Sequence, residues 1–192
     1  MGLDMYLYRK SYVRNWEYMQ PEERHQITVK RNKKKHPWID PKKISNVTEL
    51  VGQWRKANAI HDWFVQNVQD GRDECQEADV SIEQLQELYD ACVLVRDNTE
   101  LVDGQIKNGY RIKEVDGKIV EDPILEPGKT VANKTVAEEL LPTTSGFFFG
   151  STDYDQYYMQ DINDTIKILE PLLKLEVPKG MYGPDYTYRS SW

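Results

Sequence analysis

Two short segments hold most of the residues capable of chemistry. The first, WRKANAIHD from Trp54 to Asp62, sets Trp54, Arg55, Asn58 and His61 close together in the chain. In a helix, Trp54, Asn58, His61 and Val65 would lie along one stripe. An imidazole there, beside a carboxamide and a guanidinium, can act as acid, base or ligand donor. It can equally be a core histidine whose ring nitrogens are satisfied by a backbone carbonyl or a buried tyrosine.

The second segment, GFFFGSTDYDQYY from Gly146 to Tyr158, reads as strand, turn and helix start. Gly150 would let a ligand approach the backbone, and a helix N-terminus presents N–H groups to an anion. Ser151 and Thr152 would add hydroxyls, with Asp153 and Tyr154 beside them. The competing reading is that Ser151, Thr152 and Asp153 only cap the helix, while Asp153 and Asp155 complement its dipole and oppose a phosphate. A Walker loop is excluded, because its lysine and glycine spacing are missing. Asp153-Tyr154-Asp155 matches the DxD of sugar-nucleotide transferases, a pattern too short to be specific. His25, His36 and His61 lack ligand spacing, so neither metal nor cofactor is expected. No nucleophile elbow supports a Ser–His–Asp triad.

A third feature is the basic run Lys30–His36 (KRNKKKH), near Trp38 and after Tyr6, Tyr8, Tyr12, Trp16 and Tyr18. Basic and aromatic residues together can grip single-stranded nucleic acid, through Lys30–Lys35 in this case, although such runs are usually solvated loops. Residues 1–60 carry thirteen Lys and Arg against six acidic residues; the remainder carries twelve against twenty-six, giving a net charge of −7. That acidic remainder argues against a nucleic-acid partner and fits local anion binding or attraction between lobes.

The elements that would position these groups follow from periodicity. Leu3, Met5 and Leu7 alternate with polar neighbours as a strand over Leu3–Tyr8, and Gln26–Lys30 reads as a second strand. The run to His36 then reads as a loop. A helix is predicted from Thr48 to Gln69 with Gly71 as its stop; Gly52 within it costs ~1 kcal/mol against Ala. A second helix starts at the Ser81/Gln84 capping box and runs to Asn98, with Ile82, Leu85, Leu88, Cys92 and Val95 on its apolar face. Residues 110–120 read as a hairpin around Asp116-Gly117. A short helix spans Val136–Leu141, and Phe147–Phe149 reads as a strand buried on both faces. The last helix carries Tyr158, Ile162, Ile166 and Leu169, with Leu172 and Leu173 beyond Pro171. Residues 177–192 are an extended aromatic tail without periodicity, expected to dock on the domain or on a neighbouring subunit.

The whole predicts one α+β domain over 1–192: about three main helices on one face of a small, mostly antiparallel sheet. Hairpins mixed with separate helices disfavour a doubly wound nucleotide-binding sheet. With 39% hydrophobic residues and twelve tyrosines, the chain can bury a core without disulfides. Cys92 is expected as a core thiol, and Cys75 forms no CxxC pair with it. The N-terminus lacks the apolar run of a secretory leader, Tyr6 stands where a myristoylation signal needs Ser or Thr, and no stretch approaches the ~20 apolar residues of a membrane span. A cytoplasmic location is therefore expected, and self-association only on general frequency.

MGLDMYL at the start, WRKANAIHDWFV at 54–65 and LLPTTSGFFFGSTDYDQYY at 140–158 resemble a family of uncharacterised proteins encoded by bacteriophages and bacteria. The resemblance covers most of the chain. It implies a mobile-element setting and action inside an infected bacterium, in the host cytoplasm, and it supplies no reaction and no catalytic residues. Three functions stay open. The leading one is a non-catalytic accessory protein, with a counter-defence role, that binds a host protein or a small nucleotide-like ligand. The second is an enzyme acting on a nucleotide or nucleotide-modified target through His61, Arg55 and the Gly150–Asp155 turn, which requires those segments to meet. The third is a nucleic-acid-binding module using Lys30–Lys35.

Overall fold

In the computed structural model, which describes residues 2–115, 118–146 and 148–192, the N-terminal strand is flanked on one side by the last strand of the chain. The elements run β1 (Asp4–Tyr12), β2 (Lys30–Arg31), β3 (Lys34–Lys35), β4 (Asn46–Arg55), α1 (Asn58–Asn67), β5 (Ala78–Val80), α2 (Ile82–Asn98), β6 (Leu101–Val115), β7 (Lys118–Val131), α3 (Thr135–Leu140), α4 (Gln156–Leu173) and β8 (Asp185–Ser191). The main sheet has the order β4-β1-β8-β5 and is antiparallel throughout. This is the α+β architecture expected from the sequence, with α1, α2 and α4 as its longer helices. Among the described residues no helix is long and apolar enough to cross a membrane.

Period-two alternation sorts the sheet's faces. Met5, Leu7, Trp54, Val80, Tyr186 and Tyr188 are buried on the helix side, where they meet Leu85, Leu88, Cys92 and Val95 of α2 and Ile162, Ile166 and Leu169 of α4. Tyr6 and Tyr8 lie stacked on the opposite face, 6.2 Å between centroids. Cys92 is fully buried, and desolvation pushes its thiol pKa well above the ordinary value, so it packs as an apolar residue.

Several elements depart from the sequence reading. The predicted helix Thr48–Gln69 is two elements: a strand through Arg55, then a helix from Asn58. Pairing with β1 makes the strand, and Gly52 lets α4 pack on it. A Cβ there would stand 2.8 Å from Ile168 Cγ2 and 3.0 Å from Trp54 Cη2, so only glycine lets α4 lie this close to the sheet. Val51 is bulged, because Leu7 pairs with Gly52 while Tyr8 pairs with Leu50. Gln26–Lys30 forms no strand of that span. Instead Lys30–Arg31 pairs with Lys34–Lys35 in a hairpin turned by Asn32 and Lys33, both at left-handed φ (51° and 63°), so the basic run is not a plain loop. The 110–120 hairpin is the tip of a longer ribbon, Leu101–Val131, which forms its own two-stranded sheet; its Asp116-Gly117 turn lies outside the described residues.

Phe148 and Phe149 lie in a turn rather than a strand, with Phe147 outside the described residues. The helix cap is not Ser151, Thr152 or Asp153 but Asp155, whose Oδ1 accepts the N–H of Tyr157 and Tyr158. Finally, the tail is docked on its own domain as a central strand. Tyr186, Thr187 and Tyr188 are all buried between β1 and β5, which is why no alternation showed. A chain ended at Gly183 should therefore lose its cooperative urea-unfolding transition, while one ended at Ser191 keeps it. Retention of cooperativity without Asp185–Ser191 would contradict this placement of β8.

Candidate functional site

The junction from β4 to α1 is built on two unusual backbone conformations. Lys56 stands at left-handed φ (+59°), its N–H donating to Leu3 O at 2.8 Å. Ala57 (φ −77°, ψ 71°) makes an inverse γ-turn in which Asn58 N–H donates to Lys56 O at 2.9 Å. A left-handed lysine costs ~1 kcal/mol or more, so other contacts must hold it. One is the close approach of Gly150, itself at φ +90°, where a Cβ would stand 3.1 Å from Lys56 Cβ. α1 then begins without a side-chain cap.

Asn58 joins this junction to the Gly146–Asp155 segment. Its buried carboxamide donates to Phe149 O (3.1 Å) and Ser151 O (2.7 Å) and accepts from Thr144 N–H (3.0 Å). All of its polar atoms are engaged with loop backbone, so it positions the loop. The loop is tied further by Thr143 Oγ1 donating to Thr152 O (2.9 Å), Thr143 N–H donating to Tyr154 Oη (3.1 Å) and Asp153 N–H donating to Ser151 Oγ (3.1 Å).

A cleft of about 600 Å³ opens between this junction, the loop, β6 and α4. Three cations, Arg55, Lys56 and Lys107, share it with three carboxylates, Asp153, Asp155 and Asp161. Lys107 Nζ pairs with Asp153 Oδ1 at 2.9 Å, and that hydrogen bond raises the lysine's pKa. Arg55 lies only loosely by Asp4, at 3.9 Å, and its side chain is 68% exposed. Lys56 has no ion pair among the described residues. The rings of Tyr110 and Tyr157, each about half exposed, add flat apolar surface. Asp161 is half-buried, and its pKa rises from an ordinary 3.8 to about 7, first through desolvation and then through the charges of Asp164 and Asp155.

Of the expected site residues, Arg55, Asn58, Gly150, Ser151 and Asp153 come together here. Thr152 and Tyr154 line a smaller hollow of about 350 Å³, and Lys107, Asp153 and Asp155 line both. Trp54 is off the helical stripe altogether: it is 4% exposed on β4, with Nε1–H donating to Thr165 Oγ1 at 2.9 Å. His61 does not line the cleft. It is 1% exposed, its Nε2 lies 3.0 Å from Asp73 Oδ2 and its Nδ1 lies 2.8 Å from Tyr188 Oη. With Nε2–H donating to the carboxylate, Nδ1 accepts the Tyr188 hydroxyl, and Trp192 Nε1–H donates to Asp73 Oδ1 at 3.1 Å. The histidine is therefore a clamp between α1 and β8, satisfied by a buried tyrosine.

The DxD pair is likewise committed, Asp153 to Lys107 and Asp155 to the start of α4. Among the described residues no group of three or more His, Cys, Asp or Glu is placed to hold a metal ion. Lys56, Lys107 and Asp161 were not singled out by the sequence reading. Asp161 left one signal, a carboxylate three residues after Tyr158 and beside Ile162 on the apolar stripe. No protein family, curated protein or solved structure matches this chain.

An acid whose folded pKa exceeds its unfolded value binds its proton in the folded state, so stability falls as pH rises from about 4 to about 7. Asp161→Asn should match the wild type at pH 4 and exceed it by roughly 1–3 kcal/mol at pH 8 in urea unfolding. Identical differences at both pH values would contradict the assignment.

Proposed function

We propose that the protein binds a small nucleotide-like anion in the cleft between α1, β6, α4 and the Gly146–Asp155 loop. The observation that carries this reading is the gathering of Arg55, Lys56 and Lys107 around one cavity of about 600 Å³. That volume lies in the range of small-molecule sites, ~300–1,000 Å³. Each group has a matching ligand feature. Phosphate oxygens accept from the free Lys56 ammonium, the exposed Arg55 guanidinium and the uncapped first turn of α1. A base would stack on Tyr110 or Tyr157, and its exocyclic amine would donate to Asp161. Carboxylates beside cations also select against bare polyphosphate, which offers them no donor.

Binding without turnover is favoured because His61, the imidazole an enzyme reading relied on, is withdrawn into the core with both nitrogens occupied. In the phage setting that the motifs resemble, such a binder would act by sequestering a host nucleotide, a counter-defence role. One observation supports a catalytic second reading: Asp161, titrating near 7 within the cleft, is suited to move a proton.

Lys56→Gly is a clean probe, because glycine relieves the left-handed backbone while removing the ammonium. Calorimetric titration with ATP should show saturable binding that exceeds that of either pyrophosphate or adenosine. Lys56→Gly should weaken it roughly ten-fold or more while thermal stability holds or rises. Absence of binding by all three probes would sink the proposal. Conversion of ATP in the cell, lost in Asp161→Asn, would replace binding with catalysis.

A further inference from the structure

Residues 13–45 leave the body of the protein between β1 and β4. The Tyr12↔Asn46 pair closes their neck, with Val13 N–H donating to Ser45 O at 2.9 Å. No residue of this lobe is buried. It nevertheless holds large rings that a core would ordinarily take: Trp38 and Tyr18 are each 79% exposed and Trp16 is 38% exposed. These rings are held in place rather than loose. Trp16 and Tyr18 stack at 6.4 Å with 10° between their planes, and the Arg14 guanidinium lies 4.0 Å over Trp16. Trp16 Nε1–H donates to Tyr12 Oη at 3.1 Å, and Trp38 meets the edge of His36 at 4.9 Å.

The lobe is also basic. It carries nine lysines and arginines against four acidic residues. None of the nine enters an ion pair among the described residues. Five of them, Lys30, Arg31, Lys33, Lys34 and Lys35, are exposed on the β2–β3 hairpin. The rest of the chain is acidic, which by composition alone argues against a polyanionic partner. The fold weakens that objection, because acidic residues of the sheet near the neck face cations of their own: Glu49 pairs with Arg9 at 2.9 Å, and Asp185 stands opposite Lys10 in the strand register.

We infer that residues 13–45 form a binding lobe for single-stranded nucleic acid, independent of the cleft. The β2–β3 hairpin meets phosphates, while Trp38 and the Trp16–Tyr18 pair offer their faces to unstacked bases. Duplex would satisfy the cations but not the rings, because its bases are already stacked, and an acidic peptide would likewise leave the rings unused.

The test uses the full chain and fluorescein-labelled dT15, rU15, a 15-base-pair duplex and polyglutamate, by fluorescence anisotropy. A lobe neutralising about three or four phosphates should bind the single strands and weaken roughly 20- to 50-fold between 50 and 200 mM salt. Lys33→Glu/Lys34→Glu/Lys35→Glu should remove most of the binding. Trp38→Ala should weaken it about five-fold or more with the salt slope kept. Neither variant should change the far-UV spectrum, since no altered side chain is buried. Failure of dT15 and rU15 to bind at 50 mM salt would overturn the inference. So would duplex or polyglutamate bound as tightly as the single strands, or Trp38→Ala binding unchanged.

Discussion

The cleft depends on one carboxamide. Asn58 is the first residue of α1, and its three hydrogen bonds reach backbone of residues 144–151, about ninety positions later in the chain. A loop of glycines, phenylalanines and hydroxyl residues has little regular structure of its own to fix it. The Asn58 carboxamide is buried and must find partners, and the loop backbone supplies them. Once the loop is fixed, Gly150 is pressed against Lys56, which keeps that residue in its left-handed conformation. The ammonium and the free turn of α1 then share one wall, with Lys107 and Asp161 supplied by β6 and α4.

Behind that wall the sheet supplies rigidity. β8 is hydrogen-bonded on both edges, and Tyr188 stacks on Phe64 at 3.9 Å while its hydroxyl reaches His61. The end of the chain therefore fixes the helix whose start lines the cleft. His61 and Asn58, three residues apart, divide the labour: one clamps α1 to the sheet and the other clamps the loop to α1. Ring packing between His61 and Phe149, edge-on at 5.1 Å, links the two.

What could be read in advance was whatever local chemistry decides. The Ser81/Gln84 capping box, the apolar faces of α2 and α4 and the alternation of Leu3, Met5 and Leu7 are set within a few residues. Residues 48–55 were misread because Leu50, Trp54 and His61 also fit a helical spacing. Their strand form is decided by pairing with β1, some thirty to fifty residues earlier in the chain, and Gly52 then lets α4 pack on that strand. The tail was expected to dock but not to be a strand, for the same reason: β1, one of its pairing partners, lies near the other end of the chain. Arg55, Asn58, Gly150, Ser151 and Asp153 were legible as a site because turn-forming and polar residues crowd both segments. Lys107 and Asp161 were not, because a lysine in a ribbon and an aspartate in a helix look ordinary until the fold gives them a shared cavity.

Amide hydrogen exchange on Asn58→Ala reports whether this one carboxamide holds the cleft. Exchange should quicken only in residues 144–155 and the first turn of α1, with α2, the body of α4 and β8 still protected. ATP binding should be lost in the same variant. Unchanged protection of the loop together with unchanged binding would contradict the account, since the cleft would then be held by something other than Asn58.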